Sequence, residues 1–218
     1  MKTLKSTIAI LLATGCLVAP TFAQETPASK TDASPAAGSM QDQEMMAKMM
    51  EMAKLNENHK LLASLNGDWK YTVKMWMNGD PSSKPDVSHG SATRKSIMGG
   101  RFVVMEAKGK MEMPGADGKS STMEFMGRGT EGYDNAKRKF VASWVDNTGT
   151  GIMMSEGNYD EASKTFTYTS EYEAAPGMKI SARETLKLDD KNHMTMEWYE
   201  NRGGQEMKTM EIDYTRQK

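Results

Sequence analysis

Tyr133-Asp134-Asn135-Ala136-Lys137-Arg138-Lys139-Phe140 and Tyr159-Asp160-Glu161-Ala162-Ser163-Lys164-Thr165-Phe166 are two copies of one phrase, Tyr-Asp-x-Ala-x-x-x-Phe, set 26 residues apart. In each copy a tyrosine ends one strand, an Asp able to hydrogen-bond its own backbone starts a tight turn, and a Phe opens the next strand, which makes a hairpin corner. The interval holds one strand up, a turn, one strand down and another turn. Successive corners therefore fall on the same edge of an up-and-down antiparallel sheet.

The rest of the chain from Gly67 onward obeys the same rhythm. Trp69, Tyr71, Val73, Met75 and Met77 alternate with Lys70, Thr72 and Lys74, the two-residue period of a half-buried strand. Asn78 to Pro85 reads as a turn cluster. Val87 to Met98 and Arg101 to Met113 are joined at Gly99-Gly100, whose glycines can take the positive φ of a tight hairpin. Pro114 to Gly118 turns the chain into Thr122 to Tyr133, and further strands follow at Lys139 to Val145, Ile152 to Tyr159, Thr165 to Tyr172, Met178 to Leu188, His193 to Glu200 and Glu206 to Arg216. No gap between neighbours is long enough for a helix. The spacing predicts an all-β fold, a closed up-and-down antiparallel barrel of about ten strands, because closure removes the edges that an open sheet of that width would expose.

Ahead of the barrel, which spans 66 to 218, three shorter segments follow one another. Residues 1 to 23 have the pattern of a signal peptide: Lys2 and Lys5, an apolar run from Thr7 to Val18, and Thr21-Phe22-Ala23 before Gln24. That run is too short for a membrane helix, which needs about 20 apolar residues, so the expected address is the periplasm or the exterior. Cys16, the only cysteine, follows Ala13-Thr14-Gly15 and offers the alternative of a lipid anchor. With cleavage after Ala23 the chain carries no cysteine, and disulfides and thiolate sites drop out. Removing those residues takes away two lysines and no acid, moving the formal charge from -1 to -3, a balance that argues against a nucleic-acid partner. Residues 24 to 39 are rich in Pro, Ala, Ser and Thr and read as a disordered linker. Residues 40 to 65 are strong helix formers with Met45, Met49, Met52, Leu55 and Leu62 at helical intervals, an N-terminal Met-rich helix interrupted near Asn56 to Asn58.

Several pieces together resemble the bacterial domain of unknown function 1579 family. They are His59-Lys60 with Leu65-x-Gly67-x-Trp69, Gly99-Gly100-Arg101-Phe102, Gly132-Tyr133-Asp134, Trp144-Val145-Asp146 with Gly149-Thr150, Glu156-Gly157-x-Tyr159-Asp160, and the closing Tyr214-Thr215-Arg216. The resemblance implies a calycin-like barrel of the type found in lipocalins and fatty-acid-binding proteins, and it brings no assigned activity or catalytic residues. The Met-rich helix lies outside it.

Other motifs carry less. Gly127-Arg128-Gly129-Thr130-Glu131-Gly132 spells G-x-G-x-x-G, but a pyrophosphate site needs a helix after it, and Tyr133-Asp134 turns into another strand. The glycines read instead as places where the sheet bends or a neighbour comes close. Twenty-two methionines stand out. Met45, Met46, Met49 and Met50 could converge thioethers on Cu(I) or Ag(I), whereas Met face packing on the barrel mouth and a chain-wide compositional habit are the plainer readings. The three histidines, His59, His89 and His193, lack zinc spacing, and His193 as a haem ligand competes with its reading as a surface turn residue. Nucleophile-elbow, P-loop and metalloprotease motifs do not occur, so no cofactor is expected and the chain leans away from an enzyme.

Polar groups in phase with the apolar side of a strand are the most informative. Glu156 shares parity with Ile152 and Met154, and Glu184 with Ile180, Ala182 and Leu186. An inward carboxylate costs several kcal/mol of desolvation unless it has a partner, so it needs a reason. With Trp144, Tyr168 and Trp198 in the same phase, these residues outline a pocket for a small apolar molecule. Asp146 and Glu200 fall at strand ends and are expected to meet solvent. A barrel of eight to ten strands can enclose one ligand, which makes non-enzymatic binding the leading expectation, with Cu(I) handling or partner binding by the Met-rich helix as alternatives.

Overall fold

Alternating burial along ten consecutive hairpin-linked strands leaves one solution that buries every apolar face, a sheet rolled on itself. The computed structural model describes residues 40–114 and 120–218; the stretches expected to be a signal peptide (1–23) and a linker (24–39), Cys16, and the turn expected at 115–118 lie outside the described residues. The strands are β1 Gly67–Met75, β2 Asp86–Ile97, β3 Phe102–Pro114, β4 Ser120–Asp134, β5 Lys139–Asp146, β6 Met153–Asp160, β7 Thr165–Ala175, β8 Met178–Leu188, β9 His193–Arg202 and β10 Gln205–Arg216. Each pairs antiparallel with its neighbour in sequence, and β1 closes on β10 from Trp69 opposite Arg216 to Met75 opposite Met210. The β2–β3 connection is a little longer than the two-glycine hairpin expected, a 3-10 turn at Met98–Gly100 in which Met98, Gly99 and Gly100 all have positive φ.

The two copies of Tyr-Asp-x-Ala-x-x-x-Phe are structural equivalents. In the first, the Asp134 carboxylate accepts the Ala136 and Lys137 backbone N–H groups at 2.9 and 3.1 Å; in the second, Asp160 accepts that of Ser163 at 2.9 Å. Each corner turns through a basic residue at the same position in the left-handed region, Arg138 at φ 55° and Lys164 at φ 54°. Their aromatic residues meet inside. Tyr133 lies 5.0 Å from Phe140, Phe140 4.9 Å from Phe166, and Phe166 4.6 Å from Tyr159, mostly edge-on. That chain of rings fills one end of the barrel.

Helix α2, Glu57–Ser64, covers the same end. Asn56 caps it, accepting the Asn58 N–H at 3.0 Å, and His59 completes a capping box while its ring packs edge-on to Tyr133 at 5.9 Å. Leu62 and Leu65 are buried against Trp69, whose indole N–H donates to the Leu65 carbonyl at 3.1 Å. From the far end of the chain, the Arg216 guanidinium lies 4.2 Å over Trp69 and donates to the Ser64 and Lys191 carbonyls at 3.0 and 2.9 Å. First and last strands are thereby tied to one plug.

Helix α1, Met40–Met52, behaves otherwise. None of its residues is buried, and Met45, Met46, Met49 and Met50 are all more than half exposed, so the expected packing of its Met face on the barrel mouth does not occur. The barrel holds the segment after the helix instead. Asn135 donates to the Met52 and Lys54 carbonyls at 2.8 and 2.7 Å, and Arg101 to that of Ala53 at 3.3 Å, which satisfies the helix end through backbone groups and leaves the side chains in water. Among the described residues no helix is long and apolar enough to cross a membrane.

Candidate interior site

Side chains that point inward on adjacent strands are those that face each other in register. Tyr168 on β7 stands opposite Glu184 on β8, and Glu184 opposite Trp198 on β9. On the other side of the interior, Arg94 on β2 stands opposite Met105 on β3, and Glu131 on β4 opposite Val103. The Arg94 side chain is 3% exposed, and its Nη2 meets a Glu131 carboxylate oxygen at 2.5 Å, while Nη1 lies 3.6 Å from the Met105 sulfur. Burial alone opposes the charge on Arg94, and the Glu131 carboxylate beside it more than restores it.

Glu184 is the odd member. It is half-buried, faces Tyr168 and Trp198 across the sheet, and lies close enough to Glu131 and Arg94 to feel both charges. Burial, and next the charge on Glu131, raise its pKa to about 7, against a smaller pull from Arg94. Tyr168 and Tyr214 are buried beside it. Burial pushes both phenols up; Glu131 and then Glu184 add to it at Tyr168, and Glu184 does so at Tyr214. Arg94, Glu131, Tyr168, Glu184 and Tyr214 thus form one cluster whose charges act on each other inside the barrel.

Glycines set the width of this interior. A Cβ on Gly127 would stand 2.2 Å from the Trp144 ring and one on Gly129 3.1 Å from it; on the outer face, one on Gly132 would stand 2.7 Å from the exposed Phe102 ring. The G-x-G-x-x-G run is therefore a bed for two aromatic rings. Gly90 and Gly109 make room in the same way for Tyr71, whose hydroxyl donates to the Lys108 carbonyl at 3.0 Å.

Of the residues expected to line a pocket, Trp144, Tyr168, Glu184 and Trp198 do face inward. Glu156 does not. On β6 the inward set is Met153, Ser155, Gly157 and Tyr159, as the pairing of Ala142 with Ser155 and Phe140 with Gly157 requires, and Glu156 ion-pairs with Lys137 outside. Parity was misread because Ile152 and Met154, taken as the buried face, are 69% and 61% exposed. Glu200 also departs from expectation: it is buried, taking hydrogen bonds from the Tyr172 hydroxyl at 3.1 Å and the Trp198 indole at 3.3 Å. Asp146 is half-buried, accepts from Trp144 at 2.8 Å and from the Thr148 backbone, and is held below the usual carboxylate range by those donors despite its burial. His193 is exposed beside Asp190 at 2.8 Å. Arg94 and Tyr214 had a signal in the sequence, since Arg94 is in phase with Ala92 and Tyr214 with Ile212, whereas Gly127 and Gly129 hide the phase of Glu131.

An open groove of about 540 Å³ lies at the plugged end, lined by Ser64, Trp69, Leu188, Asn192 and Arg216. Its charged lining comprises Lys164, Asp190, Lys191 and Arg216, of which Arg216 is engaged by backbone carbonyls. Among the described residues no group of three His, Cys, Asp or Glu is placed to hold a metal ion.

The fold and this cluster define a ten-stranded closed antiparallel barrel with a helical plug and a polar group of residues in its interior. The chain belongs to the family described as Protein of unknown function (DUF1579), matched over residues 54–216. No curated protein matches it. Among solved structures it is similar to a redesigned beta barrel, at 13% identity over 72% of this chain and 96% of the other, with a TM-score of 0.35. A likeness at that level carries no argument about function.

Proposed function

We propose that the protein binds a small, mostly apolar molecule inside a calycin-like barrel, without chemically changing it. The observation that carries this reading is Glu184: a carboxylate turned into the barrel between Tyr168 and Trp198, where burial and Glu131 raise its pKa to about 7, is costly to the fold, and such groups cluster at functional sites. Trp144, Tyr168 and Trp198 supply aromatic wall, and Glu184, Tyr168 and Tyr214 supply polar anchors, the usual division of labour in a ligand cavity. We place this activity outside the cytoplasm, on the strength of the signal-like segment ending at Ala23. Native mass spectrometry of the full chain, purified without denaturation, tests the proposal: a retained small-molecule mass that disappears in Glu184→Leu supports it, and a bare protein mass under all conditions counts against it.

A second reading rests on a different observation, the exposure of Met45, Met46, Met49 and Met50 on α1. Thioethers on adjacent helical turns that no packing uses are available to a soft ion such as Cu(I) or Ag(I), or to a partner protein.

A further inference from the structure

Helix α2 plugs its end of the barrel unevenly. It packs against β3, β4 and the 3-10 turn at Met98–Gly100, and the groove of about 540 Å³ stays open between Ser64 and Leu65, which follow the helix, and Lys164 with the β8–β9 turn. Trp69 and Leu188 add apolar surface to its lining. A concave space of that size falls within the range of small-molecule sites, about 300–1,000 Å³.

The charges of the groove are lopsided. Three cations, Lys164, Lys191 and Arg216, line it against one acid, Asp190. That acid is turned to its own loop, accepting the Asn192 backbone N–H at 2.7 Å and meeting His193 Nδ1 at 2.8 Å. Arg216 has its hydrogen bonds satisfied but not its charge, because its acceptors, the Ser64, Asn66 and Lys191 carbonyls, are neutral. Those bonds, with the Trp69 ring 4.2 Å away, fix the guanidinium before any ligand arrives. Lys164 and Lys191 are exposed and make no ion pair among the described residues. From this imbalance we infer that the groove takes a small organic anion, its acidic group held by Lys164 and Lys191 in the field of Arg216 and its apolar body lying along Leu65, Trp69 and Leu188.

A cation would meet three like charges there, and a neutral molecule would draw nothing from the two ammonium groups. An anion with an apolar body uses both halves of the lining. None of the lining residues belongs to the interior cluster around Glu184, so the groove and the interior stand or fall separately.

Phenylbutyrate, phenylbutanol and phenylbutylamine share one apolar body and differ in the head. Each is titrated into the ¹⁵N-labelled full chain near neutral pH in low salt while the indole N–H signals of Trp69, Trp76, Trp144 and Trp198 are followed. Of these only Trp69 lines the groove, and its N–H donates to the Leu65 carbonyl at 3.1 Å. The expected result is that phenylbutyrate shifts the Trp69 signal saturably and leaves Trp144 and Trp198 in place, and that phenylbutylamine binds about tenfold more weakly or worse. The double variant Lys164→Gln/Lys191→Gln should lose about tenfold in phenylbutyrate affinity and keep its affinity for phenylbutanol. In the unaltered protein, raising the salt to about 0.5 M should weaken phenylbutyrate alone. Equal affinity for all three heads, or an unchanged phenylbutyrate affinity in the double variant, overturns the inference. A shift of Trp144 and Trp198 without Trp69 also overturns it and supports binding inside the barrel, and silence of Trp69 toward all three compounds removes the groove as a site.

Discussion

Arg94 on β2 and Glu131 on β4 meet at 2.5 Å across the intervening β3, the one ion pair among the described residues with a partner as sealed as the 3% exposed Arg94 side chain. Breaking such a pair from one side strands a charge in a place water does not reach. Arg94→Met is expected to cost about 3–5 kcal/mol, and the double variant Arg94→Met/Glu131→Gln less than the sum of the two single changes, because it removes both charges together. Urea denaturation of the four proteins measures the coupling. A loss under about 1 kcal/mol for Arg94→Met places the pair in a solvated setting.

Glu184 makes stability depend on pH in the direction opposite to an ordinary salt-bridged acid. Its folded pKa of about 7 lies above the usual value of 4.5, so between those limits the folded chain holds a proton that the unfolded chain has lost. Stability contributed by the protonated group is fully present below about pH 4.5 and is lost as pH rises through 7. The loss amounts to about 3 kcal/mol by linkage. Glu184→Gln should leave the melting temperature unchanged near pH 5 and raise it by several degrees at pH 8. Equal melting temperatures at both pH values place Glu184 in contact with bulk water.

The interior glycines give a sharper contrast. A Cβ on Gly157 would stand 2.3 Å from the Thr167 carbonyl oxygen, a backbone atom that cannot swing away, whereas one on Gly149 meets nothing within 4 Å. Gly157→Ala is expected to cost about 2 kcal/mol or more by forcing the β6–β7 ladder apart, and Gly149→Ala to stay within about 0.5 kcal/mol of the parent. Thermal denaturation of both variants tests the register of that ladder.

For helix α1 the prediction is indifference of the barrel. Replacing Met45, Met46, Met49 and Met50 by Leu touches no buried contact and should change stability by less than about 0.5 kcal/mol. The same variant decides the soft-metal reading: Cu(I) titration is expected to lose affinity if those thioethers bind the ion, and an unchanged isotherm removes the metal from consideration.

The strand plan was legible because the two Tyr-Asp corners carry their turn chemistry locally, in an Asp that caps its own backbone and a residue at positive φ five places after the Tyr. Parity failed where local chemistry and tertiary demand disagree. On β6 the apolar Ile152 and Met154 face water, while Ser155 and Gly157 face inward because Phe140 and Tyr168 already occupy the volume there. Arg94 and Glu131 were missed for a related reason: neither charge makes sense inside until its partner is seen on a strand 37 residues away. The exposure of α1 is equally nonlocal, since its helical spacing of methionines is what a buried face would show.

The whole account turns on Glu184 being buried inside the barrel and not standing in open solvent. A ¹³C NMR titration of its side-chain carboxyl in the full chain, assigned with Glu184→Gln, reads that directly. The expected midpoint lies at about 7; a midpoint near the ordinary 4.5 would contradict it, along with the binding site built around it.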